Sequence, residues 1–240
     1  MVKISLITIC YNAEETILPT LQSVVSQNYE PLEYIVIDGA SCDGTLSLVR
    51  EYCPKALITS EPDRGLYDAM NKGICRATGD YIWFLNAGDA LREPTTVAQV
   101  AEAIAEGNNP DVIYGDTMIV NAQRHDVGLR RLRPPHNLQK QDFLRGMLVC
   151  HQAFIVASRI VLPYDLSYAL SSDYDWCLRM LERSRSNKQI DRVLVNYLEG
   201  GLSQKRHWQS LRERFMIMRK HFGWIPTLLA HGSFLFIRKR

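Results

Sequence analysis

Four short polar turns, each following an apolar run, hold the residues best suited to chemistry. Tyr81 to Leu85 empties into Asn86-Ala87-Gly88-Asp89, Ile4 to Cys10 into Tyr11-Asn12, Tyr34 to Ile37 into Asp38-Gly39, and Leu57 to Thr59 leads to Glu61-Pro62-Asp63-Arg64-Gly65. Carboxylates and amides offer hard oxygen donors to a divalent cation, and a guanidinium offers a fork to phosphate. The turn ending in Asp89 can therefore hold a metal against a diphosphate, although Ala87-Gly88-Asp89 taken alone also suits a plain turn before a helix. Four such ends together favour a binding site, because ligands of open parallel sheets bind outside the carboxyl ends of the strands. Neither GxGxxG nor GxxxxGK[ST] occurs, which sets the chain apart from dinucleotide folds and P-loops.

The elements that must position these turns follow from the hydrophobic pattern. Helical spacing fills 13–26, 44–52, 67–77 and 95–105, and a further strand is expected at 112–114. Strands separated by helices imply right-handed βαβ crossovers and a mostly parallel sheet flanked by helices. Residues 117–135 are Arg-rich with weak alternation, which suits a hairpin or a mobile connection broken at Pro134-Pro135. A short helix near 139–145, a strand at 153–157, a helix over 173–185 and a strand at 192–197 follow. Trp208, Leu211, Phe215, Met218 and Phe222 then recur at helical spacing, the pattern of an amphipathic helix.

With 240 residues, 46% of them hydrophobic, the chain can build a full α/β core. Its six cysteines form no CxxC pair and read as reduced thiols, which points to the cytoplasm. Lys3 and the apolar run to Cys10 read as a buried strand and not a signal peptide, and no stretch has the length of a membrane span. The net charge of +2 hides an asymmetry: residues 205–240 carry nine Lys/Arg and one acid, a balance of +8, which leaves −6 elsewhere. A basic tail closed by Arg238-Lys239-Arg240, after the apolar stretch 225–237, suits attachment to an anionic lipid surface. A solvated face, packing on the body or contact with a partner subunit would give the same pattern.

The motifs also carry a resemblance. Ser5 to Asn12, Val36-Ile37-Asp38-Gly39-Ala40-Ser41-Cys42-Asp43-Gly44-Thr45, and Ser60-Glu61-Pro62-Asp63-Arg64-Gly65 with Asp68 to Gly73 resemble the family-2 inverting glycosyltransferases of the GT-A fold. Phe84 to Asp89, Cys150-His151-Gln152-Ala153 and Ser171-Ser172-Asp173-Tyr174 look most like bacterial colanic-acid and other surface-polysaccharide members. The resemblance implies a Rossmann-like GT-A domain over 1–204, with a nucleotide-sugar half to about 116, an acceptor half over 117–204, and a basic helical tail over 205–240. It implies transfer of a sugar from a nucleoside-diphosphate sugar to a lipid-linked saccharide, at the inner face of the cell membrane and without nucleic acid.

Carried over by position, the resemblance makes Thr8, Tyr11, Asp38, Asp63, Arg64 and Asn86 donor-binding residues. Asp89 matches the last acid of the DxD-type turn that holds Mg²⁺ or Mn²⁺, and His207 is a second candidate ligand that also suits a helix start. Asn86 and Gly88 stand where many relatives have Asp, so metal affinity is expected to be lower. Asp43, just before Gly44-Thr45, reads as a helix cap. Asp173 matches the base that takes the acceptor hydroxyl's proton, and its family neighbour Glu is replaced by Ser172. Ser172-Asp173-Tyr174-Asp175 reads as a capping box, with Ser172 as the cap and Asp173 free to project; an acid at a helix N-terminus would look the same. His151, Gln152, Trp176 and Arg179 are placed on the acceptor side, though His151 alone is as well a core or surface histidine. Arg124, Arg130, Arg131 and Arg133 either hold an acceptor diphosphate or are solvated. Two rivals are a nucleotidyltransferase, which would need a basic glycine loop where Tyr11 to Glu15 stands, and a non-catalytic nucleotide-sugar-binding scaffold.

Overall fold

The computed structural model describes residues 1–200 and 206–237, with side chains to 232 except that of His207. Four strands, β1 (Ile4–Cys10), β2 (Leu32–Asp38), β3 (Leu57–Ser60) and β4 (Tyr81–Phe84), are joined through α1 (Leu18–Val25), α2 (Thr45–Tyr52) and α3 (Leu66–Arg76). All seven residues of β1 and all four of β4 are buried, so neither alternates; both faces are covered by helices, as a parallel sheet demands. Gly73 of α3 permits that cover, because a Cβ there would stand 2.6 Å from Ile7 Cγ2.

The described strands form one sheet in the order β3-β2-β1-β4-β8-β6-β9-β5, with β7 paired to β6. Here β5 is Ala90–Leu91, β6 Val112–Val120, β7 Asp126–Leu129, β8 Phe154–Ala157 and β9 Asn187–Leu198, while α4 (Thr96–Glu106) lies between β5 and β6. β1 to β4 are mutually parallel, and β8 runs antiparallel to both β4 and β6. The sheet is thus mostly parallel, with β8 reversed at its centre and β5 and β7 reversed beyond it. It passes without a break through the expected 116/117 boundary, which falls inside β6. β9 starts five residues earlier than expected, because Asn187, Lys188 and Gln189 pair in parallel with Val112, Ile113 and Tyr114.

The last helices are α5 (Ser172–Arg183), α6 (His207–Phe222) and α7 (Trp224–Ile237), the last two broken at Gly223, whose φ of +83° favours glycine. α6 buries Ser210, Glu213, Ile217 and Met218, while Trp208 is exposed. The apolar spacing read as one stripe is therefore shared between two faces. Ile217 and Met218 join the core, and Phe215 turns to Trp224 and His231 of α7 at 6.2 and 5.1 Å between ring centres. Trp224, Ile225, Leu228 and Leu229 of α7 are each more than half exposed. Among the described residues no helix is long and apolar enough to cross a membrane.

Candidate active site

Adjacent β1 and β2 end in register, Cys10 opposite Asp38, so the loops after them meet. The Gly39 N–H donates to Cys10 O at 2.9 Å and the Glu61 N–H to Asp38 O at 3.0 Å, which brings the loop after β3 alongside. Asp38 is fully buried and does not face outward. Its oxygens accept from Ser41 Oγ (2.5 Å), Ser41 N (3.0 Å), Ser60 Oγ (2.6 Å) and the Cys10 thiol (3.7 Å). A carboxylate offers about four acceptor sites, and these four donors occupy them. Asp38 thus braces the donor edge. Thr8 is likewise withdrawn: it lies two residues inside β1, fully buried, and accepts the Tyr34 hydroxyl at 3.0 Å.

Asp63 fills the space that Asp38 leaves. One oxygen accepts from Gly65 N at 2.8 Å, and the other hangs over Gly39, 2.5 Å from where a Cβ at that position would stand. The exposed Tyr11 ring flanks the same glycine. Arg64 is exposed and pairs with Asp68 at 3.0 Å. Asp43 accepts from Thr45 N at 3.0 Å and so caps the start of α2.

The turn after β4 is held from three sides. Thr20 of α1 donates its hydroxyl to Asp89 O at 2.6 Å and accepts the Gly88 N–H at 3.0 Å. Arg124, from the β6–β7 turn, donates to Gly88 O at 2.5 Å and to Thr16 O at 3.4 Å. Asp89, itself buried, accepts from Leu198 N at 2.9 Å. Burial nevertheless pushes its carboxyl up to about 7, against the pull of Leu198, Arg124 and Gln152. Asn86 Oδ1 is buried with no hydrogen-bond partner. An orphaned amide oxygen beside a carboxylate held in a dry turn fits a hard divalent cation, with most coordination left to phosphate and water. No cluster of three or more His, Cys, Asp or Glu able to hold a metal is found among the described residues. The side chain of His207 lies outside them.

Asp173 is the second residue of α5, in its first turn, and the N-cap is Ser171 and not Ser172. The capping box is absent: the Ser172 hydroxyl donates to Asp165 O at 2.7 Å, and Asp175 is fully buried against Arg179 and α6. Asp173 Oδ1 accepts from its neighbour Tyr174 N at 2.9 Å and from the Tyr67 hydroxyl at 3.1 Å. Tyr67 opens α3 directly after Asp63-Arg64-Gly65, so it ties Asp173 to the donor edge across 106 residues of sequence. Asp173 Oδ2 accepts no hydrogen bond among the described residues. Burial first, then the nearby charges of Asp89 and Asp173, push the Tyr197 hydroxyl of β9 upward. Neither Tyr67 nor Tyr197 stands out in the sequence; an aromatic just inside a helix that follows a polar turn is the only hint of the first.

The four expected acceptor-side residues separate. Gln152 is buried, its side-chain oxygen accepting the Cys150 thiol at 3.0 Å and its carbonyl the Trp83 indole N–H at 2.6 Å. His151 is buried in an aromatic box, sharing a 2.6 Å hydrogen bond with Tyr164 Oη and standing 5.3 Å from the Phe84 ring, and burial lowers it to about 4. Trp176 is fully buried, stacked on Tyr164 at 4.9 Å with its indole N–H on Leu162 O. Arg179 pairs with Asp175 and donates to Pro163 O, while its Nη2 is buried without a partner among the described residues. The arginine cluster also divides: Arg124 clamps Gly88, Arg130 donates to Met147 O at 2.7 Å, Arg133 pairs with Asp116, and Arg131 is exposed.

An α/β sheet with polar turns at adjacent parallel strand ends, and a carboxylate tied to the helix that follows one of them, has the layout of an enzyme that binds its ligand at the carboxyl ends of the strands. The chain belongs to glycosyl transferase family 2, whose profile matches residues 5–163, and it is a glycosyltransferase of the GT-A fold. It is 37% identical over 182 residues to an uncharacterized glycosyltransferase of Mycobacterium tuberculosis, covering 73% of this chain and 68% of that protein. A PGL/p-HBAD biosynthesis glycosyltransferase of Mycobacterium bovis is 29% identical, covering 87% and 92%. Among solved structures, TarS of S. aureus in complex with UDP-GlcNAc superposes with a TM-score of 0.73 at 16% identity, covering 92% of this chain and 67% of that one. The mannosyltransferase PcManGT of Pyrobaculum calidifontis, in complex with GDP-Man and Mn²⁺, gives 0.65 at 19% identity, covering 96% and 68%. Family membership disposes of the nucleotidyltransferase reading.

Proposed function

We propose that this glycosyltransferase moves a sugar from a nucleoside-diphosphate sugar to a lipid-linked saccharide with inversion at the anomeric carbon. The observation that carries the reading is Asp173: Tyr67 ties it to the donor edge, and its second oxygen stands free of hydrogen bonds among the described residues. In the proposed step Asp173 Oδ2 takes the proton of the acceptor hydroxyl as that oxygen bonds to the anomeric carbon. The bond from that carbon to the diphosphate oxygen breaks in line, and the nucleoside diphosphate leaves with the electron pair. A single displacement of this kind inverts the centre.

Tyr11 and Asp63, grouped over Gly39, would receive the nucleoside, and Arg64 would swing from Asp68 to phosphate. Asn86 Oδ1 and Asp89 would hold Mg²⁺ or Mn²⁺, which supplies charge neutralisation for the departing diphosphate. The two solved neighbours bound to nucleotide sugars, one of them with Mn²⁺, support this donor class. Residues to about 116 then form the donor half and 117–204 the acceptor half. The basic segment 205–240 and the exposed apolar row of α7 support attachment to an anionic membrane at its cytoplasmic face. Incubating the protein with UDP-, GDP- and dTDP-sugars and Mn²⁺ tests the reading through release of nucleoside diphosphate. Selective release from one nucleotide class is expected; no release from any, with or without saccharide acceptors, would favour the binding scaffold.

A further inference from the structure

α6 enters the structure with Arg212 and Arg214 on either side of its one acid, Glu213, yet Glu213 pairs with no Lys or Arg among the described residues. Instead it is buried and turned onto the backbone just ahead of α5. Its oxygens accept from Ala169 N at 3.2 Å, Leu170 N at 2.8 Å and Ser171 N at 2.9 Å, with Gln209 Nε2 at 3.2 Å. A carboxylate taken from water is costly unless charge-assisted hydrogen bonds replace the lost solvation, and four N–H groups supply them.

The N-cap of α5 is tied to the same helix. Ser171 makes no side-chain cap bond to its own helix, and its hydroxyl meets Ser210 Oγ at 3.2 Å and Ser210 O at 3.4 Å. Two residues beyond Asp173, the buried Asp175 accepts from His221 Nε2 at 2.9 Å and Lys220 Nζ at 3.3 Å. α6 therefore grips the backbone before Asp173 and the side chain after it. Asp173 alone in this turn remains pointed at Tyr67. The charge of Glu213 reaches that hydroxyl as well: burial, Asp173 and then Glu213 keep Tyr67 protonated.

We propose that Glu213 is a positioning residue for Asp173, fixing the peptide groups from Ala169 to Ser171 so that the base faces the donor edge. The inference rests on Asp173 acting as the base. It makes α6 part of the catalytic unit, although the sequence sets it in a tail.

The test compares Glu213→Gln, which keeps the shape and removes the charge, with Glu213→Asp, which keeps the charge and shortens the reach. Nucleoside diphosphate release is measured in the full chain on whichever UDP-, GDP- or dTDP-sugar the wild type hydrolyses. Glu213→Gln is expected to lower kcat roughly 10- to 30-fold with donor KM within about twofold, because a base displaced by part of an ångström loses alignment but not substrate. Glu213→Asp is expected to recover part of kcat, and it carries the same comparison if the Gln variant does not melt cooperatively. Asp173→Asn is run alongside. Normal release by Asp173→Asn overturns the base and the inference together. An inactive Asp173→Asn beside an unchanged kcat in Glu213→Gln, or beside a kcat loss matched by a rise in KM, leaves the base standing and overturns the positioning role.

Discussion

The donor edge and the Asp173 end of α5 both present carboxylates at the carboxyl side of the sheet, but they are held over very different spans of sequence. At the donor edge the spans run from short to intermediate: Ser41 reaches Asp38 across three residues and Gly65 reaches Asp63 across two, while Ser60 reaches Asp38 across 22 and Asn12 reaches Ser41 across 29. Around Asp173 the partners are remote: Tyr67 lies 106 residues away, Glu213 contacts Ser171 across 42, and His221 contacts Asp175 across 46. The loops after the first three strands are braced by one another, within the first 70 residues. If Asp173 is the base, its placement needs α3, α5 and α6 together, and distant changes in α6 are expected to act on chemistry while leaving the nucleoside side intact. The Asn86 to Asp89 turn belongs with the second kind, being pinned by Thr20, Arg124 and Leu198.

The contrast predicts effects of different kinds. Asp173→Asn is expected to lower kcat about 10³-fold with donor binding retained, since general-base catalysis contributes roughly 10²–10⁴-fold. Steady-state rates together with donor titration check it, and loss of binding in parallel would blur the two regions into one. Asp175→Asn should cost about 3 kcal/mol in urea unfolding near neutral pH, because it strips the partner from Arg179, Lys220 and His221 in a buried site. Burial alone would raise the Asp175 carboxyl, but His221, Arg179 and Lys220 outweigh it and hold it at about 2. The folded form is thus the stronger acid. Its stabilisation is present above the unfolded pKa, about 3.9, and is lost as pH falls toward 2, so the gap between wild type and Asp175→Asn should close over that window. A gap independent of pH there would show that Asp175 contributes by packing.

The smallest expected effect lies farthest from both regions. Flotation with vesicles rich in anionic lipid should carry the full chain and not the chain ending at 223, at moderate salt, because α7 supplies the exposed apolar row. Equal flotation of the two would move the contact onto α6 or the body. Release of nucleoside diphosphate should change little on this truncation if α6 alone positions the base.

What the sequence made legible follows the same division. Runs such as Ile4–Cys10 and Tyr81–Phe84 announce buried parallel strands because every residue is apolar or small, and the polar residues after them mark the donor edge. Nothing in Phe154–Ala157 records that its neighbours run the other way, since direction is set by the chain's path and not by the residues. The resemblance points to Asp38 as a donor contact, but the pattern around it does not show that Ser41 and Ser60 hydrogen-bond its carboxylate. Thr8, Trp176 and His151 carry polar atoms that the core satisfies through Tyr34, Leu162 and Tyr164, partners 14 or fewer residues away only for the last two. Glu213 was invisible for the opposite reason: set between two arginines, it reads as a solvated charge until the backbone it caps is brought up from residues 169–171.

The edge formed by Tyr11, Asp63, Asn86 and Asp89 is proposed to bind a nucleoside diphosphate with a divalent cation. Calorimetric titration of UDP, GDP and dTDP, with and without Mn²⁺, into the wild type and Asp89→Ala tests it directly. The account predicts that one nucleotide binds the wild type, more tightly with Mn²⁺, and that Asp89→Ala removes the Mn²⁺-dependent part, a loss of about 10- to 100-fold. Affinity indifferent to both Mn²⁺ and Asp89, or no binding by any of the three, would contradict it.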